Sequence, residues 1–390
     1  MAVAASSAMA AGFALYETSP RGVAMGGATM GVYCDPSATY ANPALLTEHE
    51  GNSLMFGVSM IKPEMEFDLV TPAGTEAYEP KGKWFPPPFA YVNSQISDSL
   101  WFGLGVYMPY GLGVEFDRTW SGRYNSVETE FTALNVNPNI AWKLNDKLSL
   151  AVGIDVMYLD VTITRCIRQV EMLLENTADC IDFGVNAALS YKLTDDLGVG
   201  LVYRSPITEE LSGDAKLGPL HNGGVSEDLT LPQSVSLGVN YTGFDKWNIG
   251  AIATWTGWSS YDNLTLHFDP ALLGTVKEAG ADKDWDDVWR FGVGIERQIS
   301  DELFMQVGYA YDMDPINNSH GDYMMPAGDR HIVSIGMTTP VAENCDFSIS
   351  YARIMLTGEH VLARPAEGVY ETNFKKGGSA VVCASFSLDF

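Results

Sequence analysis

Gly378-Ser379-Ala380-Val381-Val382-Cys383-Ala384-Ser385-Phe386-Ser387-Leu388-Asp389-Phe390 closes the sequence with the pattern of a β-strand. From Val382 onward, apolar residues occupy every second position, and the last residue is aromatic. The wall of a membrane barrel needs apolar side chains that face outward and small or polar side chains that face inward. The stretch therefore favours a transmembrane barrel, and the alternative is an amphipathic strand at the end of a soluble β-protein. Outer-membrane assembly machinery recognises final strands of this type, so that machinery is an expected partner.

The composition narrows the class of protein. The chain has 390 residues, with 49 acidic and 23 basic side chains, which argues against nucleic-acid binding and against a polybasic membrane anchor. No stretch approaches the ~20 uninterrupted apolar residues of a transmembrane helix. A membrane protein without such a helix must be a closed barrel, because backbone groups in lipid have to be paired.

Residues 1–10 are small and apolar and end in Ala8-Met9-Ala10, which has the form of an A-x-A cleavage site. A basic start and a full apolar core are missing. We therefore predict the tail of a secretory signal, with the mature chain beginning at Ala11. A flexible N-terminus is the alternative.

Two of the five cysteines bracket a segment that has short-helix character. Cys166 and Cys180 flank residues 167–179, predicted to form an outer loop. A disulfide between them is predicted for an exported protein, and two unpaired thiols are the alternative. Neither a C-x-x-C motif nor a His/Cys spacing typical of metal ligands occurs, so no metal site and no cofactor are predicted.

Short polar turns divide the sequence into blocks of about 40 to 50 residues that each hold two strand-like segments. Six such turns separate seven hairpins, which gives fourteen strands with both ends of the barrel on the short-turn side, the periplasmic side. The turns are Ser97-Asp98, Asn145-Asp146-Lys147, Thr194-Asp195-Asp196, Gly243-Phe244-Asp245-Lys246, Ser300-Asp301-Glu302 and Ala342-Glu343-Asn344. The long connections would face outside, near 63–83, 112–127, 166–180, 206–230, 260–287, 313–328 and 358–376. A soluble sandwich or propeller gives no reason for this alternation of short and long loops.

Residues 11–51 precede the first strand and are too rich in glycine and alanine to form a strand pair. A fourteen-stranded barrel has a lumen too wide for its own side chains to fill. We therefore predict that 11–51 folds inside the lumen as a plug and that 52–390 forms the barrel. A periplasmic tail is the alternative, which the apolar residues of this segment disfavour.

Several motifs in order and spacing resemble the FadL-type family of outer-membrane transporters for long-chain fatty acids, which also includes proteins for uptake of aromatic hydrocarbons. The N-terminal resemblance lies in residues 11–19 and in Asn42-Pro43-Ala44-Leu45. Later matches are Tyr110-Gly111-Leu112, Tyr203-Arg204-Ser205, Leu229-Thr230-Leu231-Pro232, Trp255-Thr256-Gly257-Trp258-Ser259, Trp289-Arg290-Phe291 and Tyr311-Asp312. Together they span essentially the whole mature chain.

The resemblance implies a fourteen-stranded barrel whose N-terminal hatch plugs the lumen, in agreement with the turn count. It also implies passive uptake of hydrophobic molecules across the outer membrane of a Gram-negative bacterium. A ligand would be caught at the outer loops, pass to a pocket above the hatch, and leave through a gap made by an inward kink in the third strand.

Carried over to this sequence, the resemblance assigns roles to individual residues. Gly111 falls on the kink, and Pro109 near it lacks the N–H that a sheet ladder needs. Phe13 matches a hatch phenylalanine near the gap. Arg165 matches a basic residue that faces the polar head of the ligand, and Lys283 matches a second basic residue less well, because its spacing to Trp289 differs.

Two other classes of function are weaker alternatives. A barrel hydrolase needs a nucleophile, a base and a carboxylate at one rim, and Ser319-His320 with Asp322 is the close cluster in the sequence. A general diffusion porin needs an open polar lumen, which the hatch argues against. A monomer that binds an apolar ligand and membrane lipid is expected, and the sequence leaves fatty acids and aromatic hydrocarbons both open.

Overall fold

The computed structural model describes residues 12–80, 84–317, 319–324, 328–357 and 360–390, apart from the side chains of Leu112 and His360. The predicted signal segment, 1–10, lies outside the described residues. Twenty strands, numbered in chain order, belong to one antiparallel sheet within the described part of the chain. In that same part, no helix is long and apolar enough to cross a bilayer.

Fourteen of the twenty described strands form a closed ring, each paired with its neighbours in the ring. These wall strands are β1 (Asn52–Thr71), β3 (Pro88–Ser97), β4 (Leu100–Glu115), β5 (Glu128–Lys143), β6 (Leu148–Ile167), β7 (Met172–Thr194), β8 (Leu197–Arg204), β11 (Ser234–Tyr241), β12 (Trp247–Thr256), β15 (Val288–Ser300), β16 (Leu303–Asp312), β17 (Asp329–Ala342), β18 (Cys345–Thr357) and β20 (Glu371–Asp389). β1 pairs with β20 and closes the ring, with Phe56 opposite Phe386. The predicted strand number is confirmed.

All six predicted short turns join consecutive wall strands at one end of the ring. Both ends of the wall lie at this end as well, since the Asn52 N–H donates to the Phe390 carbonyl at 3.0 Å. Apart from the four-residue turn between β6 and β7, the other end carries longer connections and six further strands. These are β2 (Gly74–Tyr78), β9 (Ile207–Leu217), β10 (His221–Leu231), β13 (Asn263–Leu272), β14 (Val276–Asp282) and β19 (His360–Val361).

The outer face of the ring is apolar, as the alternation predicts. On β7, Phe183 is 66% exposed, and the exposed side chains of Ile181 and Val185 continue the row. On β20, Phe386 points outward and Cys383 is buried on the inner face. An apolar belt of this kind around a closed ring is suited to the hydrocarbon core of a membrane.

The predicted outer loop 166–180 is wrong. β6 and β7 stay paired to their tips, where Ile167 lies opposite Met172, so only four residues turn the chain. β-branched and alternating residues extend both strands beyond the apolar belt.

The predicted disulfide is wrong for the same reason. Cys166 lies opposite Leu173 and Cys180 opposite Leu159, so the two thiols sit seven ladder positions apart and are both free. A bridge requires Cα atoms within about 7 Å, which this register excludes. Cys34 and Cys383 are also unpaired.

Residues 12–51 pack against the inner faces of strands all around the ring. They form two short helices, α1 (Pro20–Ala24) and α2 (Ala38–Ala41), and the 3₁₀ helix Pro43–Glu48. Two further 3₁₀ turns lie in the outer connections, at Trp258–Ser260 and Pro365–Glu367. Hydrogen bonds tie the segment to separate parts of the wall, from Ser334 Oγ of β17 to the Ala24 carbonyl and from the Gly31 N–H to Asn240 Oδ1 of β11. These contacts agree with the predicted position inside the lumen.

Glycine on the inner wall makes this close packing possible. A Cβ added at Gly198 would collide with the Gly31 carbonyl, and one at Gly292 with the Gly26 carbonyl. The wall therefore approaches the hatch backbone directly, which leaves the hatch little freedom along those strands.

Candidate functional site

The ladder between β3 and β4 breaks halfway up the wall. The last pair is Ala90 with Val106, and β4 continues to Glu115 without a β3 partner among the described residues. Just before Ala90 the chain carries three consecutive prolines, Pro86-Pro87-Pro88.

These prolines explain the break. Phe85 exchanges both backbone hydrogen bonds with Ile61 of β1, and the Pro87 carbonyl accepts from Ser59, so alternate residues face β1. Pro86 and Pro88 therefore face the other edge, towards β4, where a proline has no N–H to donate. The three prolines are visible in the sequence, but the predicted gap rests on Gly111 and Pro109 alone.

β4 itself is irregular at the same height. Its register with β5 shifts between Tyr107 and Tyr110, which is the bulge that places Met108 and Pro109 opposite one residue. The predicted irregularity of the third wall strand is thus present, two residues before Gly111.

The hatch occupies the edge of β4 that β3 leaves open. The Leu15 N–H donates to the Pro109 carbonyl at 2.8 Å, and the Gly111 N–H donates to the Phe13 carbonyl at 2.9 Å. Between these bonds, Ala14 lies opposite Tyr110. We call residues 13–15 the seal.

Gly111 contributes to the break through its lack of a side chain. Its φ is not in the left-handed region, and a Cβ there would lie 2.9 Å from Leu15 Cδ1 and 3.1 Å from Phe85 Cε1. Gly111 therefore gives space to two apolar side chains that fill the break.

An apolar cavity of about 860 Å³ lies on the outer side of the seal. Phe13 forms its floor, and its ring centroid lies 4.3 Å from that of Phe131 and 4.8 Å from that of Trp258. Tyr261 and Trp285 complete the aromatic cage around Phe13. The predicted hatch phenylalanine thus lies at the cavity and beside the break.

Lys283 lines this cavity, but it is not free to bind an anion. Its Nζ lies 2.6 Å from Asp322 Oδ2, and both side chains are buried. Burial acts to lower the pKa of Lys283, but the charge and the hydrogen bond of Asp322, together with Tyr261, outweigh burial and the pKa is raised. The lysine therefore stays charged and is neutralised by its neighbour.

Arg165 lies at the mouth, where it and Lys283 line an adjoining space of about 800 Å³. Its side chain is half-buried, and no charged group among the described residues interacts with it. A partly desolvated cation without an anion is unfavourable, so this position favours an incoming negative charge.

Glu227 is another ionisable side chain on the wall of the outer cavity. Its Oε1 accepts from the Thr265 N–H at 3.0 Å, while its buried Oε2 has no partner among the described residues. Burial raises the pKa of Glu227 to about 7.

We expect the affinity of the cavity for a neutral hydrocarbon to fall as pH rises from about 6 to about 8. Below its pKa, Glu227 is uncharged and compatible with an apolar ligand. Above its pKa, the ligand must either bury a carboxylate or force its protonation, which costs about tenfold in affinity per pH unit. Toluene binding measured by calorimetry across this range tests the slope.

Two variants test whether this pH dependence belongs to Glu227. Glu227→Gln should bind toluene equally at all pH values, and Glu210→Gln, changed at an exposed carboxylate on the neighbouring strand, should keep the slope. An equal slope in Glu227→Gln would assign the pH dependence to another group.

A second cavity, of about 1170 Å³, lies between the hatch and the wall on the inner side of the seal. Ala14 and Leu15 line it, as do Pro109 and Tyr110 of β4. The seal therefore separates this inner chamber from the outer cavity and borders the break in the wall.

The predicted hatch motif holds the hatch in shape. Asn42 Nδ2 donates to the Met30 carbonyl at 2.9 Å and to the Leu189 carbonyl of β7 at 3.1 Å. Its Oδ1 accepts from the Ala44 N–H at 3.1 Å and caps the 3₁₀ helix, which Pro43 begins. The motif is thus positioned as an anchor between the hatch and the wall.

The residues of the hydrolase alternative do not form a triad. Ser319 Oγ lies 3.2 Å from His320 Nδ1, but Asp322 is bonded to Lys283 instead of orienting the imidazole. His320 Nδ1 also lies 3.9 Å from Asp284 Oδ2, so the same ring nitrogen faces both the hydroxyl and a carboxylate, whereas a triad uses the two different ring nitrogens.

One group of metal-ligand types comes together among the described residues, although no such spacing appears in the sequence. Cys180, Asp182 and Glu209 have ligand atoms within 4.8 Å of one another. The Cys180 thiol donates to Glu209 Oε2 at 3.0 Å, so a proton already joins two of the three.

Known proteins resemble this chain over nearly its whole length. The model of the family described as outer membrane protein transport protein (OMPP1/FadL/TodX) matches residues 1–390. A long-chain fatty acid transport protein of Escherichia coli O6:H1 is 24% identical over 430 residues, covering 97% of this chain and 94% of that protein. Outer membrane protein P1 of Haemophilus influenzae is 21% identical over 406 residues, covering 90% of this chain and 87% of that protein.

Two solved structures share the fold. The crystal structure of a Pseudomonas aeruginosa FadL homologue superposes with a TM-score of 0.84 at 21% identity, covering 97% of this chain and 100% of the other. That of the toluene transporter TodX from P. putida gives 0.76 at 15% identity, covering 96% and 99%. At these identities the likeness concerns the barrel architecture.

Proposed function

Because the chain belongs to the outer membrane protein transport protein family (OMPP1/FadL/TodX), we propose that it takes up long-chain amphiphiles with a carboxylate head, of the fatty-acid type. The barrel lies in the outer membrane, and the members of this family are transport proteins rather than enzymes. Uptake is passive, since binding in an apolar cavity and release into lipid need no energy source.

The observation that carries the proposal is the position of the seal. Residues 13–15 form the floor of the outer cavity and at the same time fill the unpaired edge of β4. A ligand that displaces this one segment removes the barrier below it and uncovers the break in the wall. Binding and lateral release are coupled in this way without a second moving part.

The outer cavity suits an acyl chain, and its mouth suits an anionic head. The walls are apolar and aromatic, and the unpaired Arg165 stands at the entrance. In the proposed pose, the carboxylate meets Arg165 and the chain extends down to Phe13. Lys283 has a weaker part than predicted, because Asp322 neutralises it.

A neutral aromatic hydrocarbon is the second candidate ligand. The paired Lys283–Asp322 and the half-protonated Glu227 leave the cavity interior without a free cation. One of the structural neighbours is a toluene transporter by its title. Arg165 discriminates between the two candidates, because only an anion needs it.

We expect Arg165→Ala to weaken binding of dodecanoate and to leave binding of dodecan-1-ol unchanged. A charge-assisted hydrogen bond contributes about 1.5–3 kcal/mol, which is roughly ten- to a hundredfold in Kd. Isothermal titration of the protein in lipid nanodiscs measures both ligands. The control is Arg168→Ala, which removes an exposed guanidinium from the same hairpin. Equal binding of dodecanoate by both variants would favour the hydrocarbon alternative.

We also propose how the chain is divided and how it sits in the membrane. Residues 11–51 act as the hatch and 52–390 as the barrel. The protein works as a monomer, contacts membrane lipid on its outer face, and is inserted by the outer-membrane assembly machinery, which would bind the final strand.

A further inference from the structure

Two arginines share one aspartate on the inner wall. Arg290, Asp312 and Arg330 are successive cross-strand neighbours on β15, β16 and β17. Asp312 is in direct contact with Arg330, and its Oδ2 lies 3.6 Å from Arg290 Nε. All three side chains are more than nine-tenths buried. The cluster therefore carries one uncompensated positive charge out of water.

Arg290 is the member that faces the inner chamber. It lines that cavity, whereas Asp312 and Arg330 do not. Its guanidinium carbon stacks 4.1 Å from the ring centroid of Tyr16, another lining residue, and its Nε is buried without a hydrogen-bond partner in the described part of the chain. The stacking orients a planar donor group whose Nε lacks a hydrogen-bond acceptor among the described residues.

The other charges of the chamber are balanced. Arg204 Nη1 lies 3.1 Å from Asp155 Oδ1, and its Nη2 donates to the Tyr40 carbonyl at 2.8 Å. Asp314, which interacts with Arg330, has its pKa raised to about 7 by burial and is only partly ionised at neutral pH. The excess positive charge of the chamber is thus centred on Arg290.

We propose that the inner chamber holds a second anion site, centred on Arg290, which receives the carboxylate head of the amphiphile after it has passed the seal. The inference rests on the proposed function. The same chamber is bordered by Leu15, Pro109 and Tyr110, so a ligand held there by its head lies beside the break between β3 and β4. Its acyl chain leaves first through the wall while Arg290 retains the head. Arg165 acts at entry and Arg290 acts on passage.

Uptake of radiolabelled dodecanoate and dodecan-1-ol by cells that produce the full chain separates these roles. Arg290→Gln should lower dodecanoate uptake roughly tenfold and leave dodecan-1-ol uptake unchanged. Equilibrium binding of dodecanoate at the outer cavity should also stay unchanged. Arg290→Lys should retain most of the dodecanoate uptake. Arg297→Gln, on the exposed face of the same strand, is the matched control.

A second pair of variants tests the site without removing the arginine. Thr254 lies directly opposite Arg290 on β12 and lines the chamber. Thr254→Asp would place an internal carboxylate against Arg290 and should lower dodecanoate uptake as Arg290→Gln does. In Thr254→Asn, the new side chain has the shape of the aspartate in Thr254→Asp without its charge, so this variant should transport dodecanoate normally.

The outcomes are distinct. Equal loss of both substrates in Arg290→Gln, or normal dodecanoate uptake in both Arg290→Gln and Thr254→Asp, overturns the anion site while leaving the proposed function standing. If the unaltered protein takes up dodecan-1-ol but no dodecanoate, the proposed function fails and the anion site fails with it.

Discussion

A disulfide between positions 14 and 110 should stop uptake under oxidising conditions and restore it on reduction. Ala14 and Tyr110 face each other between two hydrogen bonds that flank them, which makes them a non-hydrogen-bonded antiparallel pair. The Cα atoms of such pairs are about 4.5 Å apart, within the range that a disulfide spans. In Ala14→Cys/Tyr110→Cys, the bond would fix the seal on β4. Because the seal closes both the cavity floor and the wall, uptake of dodecanoate should fall at least about tenfold, the size expected when a required conformational step is blocked.

The experiment is done in a background in which the five native cysteines are replaced, since all of them are free thiols. Each single cysteine variant controls for the loss of the Tyr110 ring and should respond to neither oxidant nor reductant. Binding of dodecanoate at the outer cavity should survive in the oxidised protein. Transport at the same rate in oxidised and reduced protein would mean that the ligand leaves without displacing residues 13–15.

The sequence specifies the wall well because its signal is repeated. Each strand contributes its own alternation, and the short turns punctuate it, so an error in one segment does not alter the count. The outer loops are harder to predict. Residues 167–179 have local helical character, but the ladder between β6 and β7 continues through them, because pairing partners outweigh local propensity. The disulfide prediction failed with that loop.

The candidate site is only partly predictable from the sequence. The family resemblance points to Phe13, Pro109, Arg165 and Gly111, and the structure brings Phe13 against Gly111. The pairing of Lys283 with Asp322 and the cluster of Arg290, Asp312 and Arg330 depend on how strands and their connecting loops align. No spacing rule in the sequence reveals that alignment, even where the strands are consecutive. The three prolines at 86–88 are visible in the sequence. That they interrupt the wall follows only once β3 is known to need N–H donors towards β4.

Restoring those donors should close the wall. Pro86→Thr with Pro88→Val supplies two N–H groups on the edge that faces β4, and both new residues are β-branched and favour a strand. Pro109→Thr, added to them, removes the proline from the bulge. We expect β3 and β4 to pair beyond Ala90 and Val106 and to compete with the seal for the same edge. Dodecanoate uptake should then fall by about tenfold or more, since lateral exit requires that edge to open.

Pro87→Thr is the matched control, because residue 87 faces β1, where its carbonyl already accepts from Ser59 at 3.0 Å. Its new N–H would not reach β4, so uptake should stay normal. The triple variant should still assemble, because the outward belt and the final strand are unchanged, and its outer cavity should still bind dodecanoate in an Arg165-dependent way. Hydrogen exchange at residues 86 and 88 reports whether the new ladder forms. A protein with a protected ladder and undiminished uptake would exclude exit between β3 and β4 and would direct the ligand past the hatch towards the periplasm.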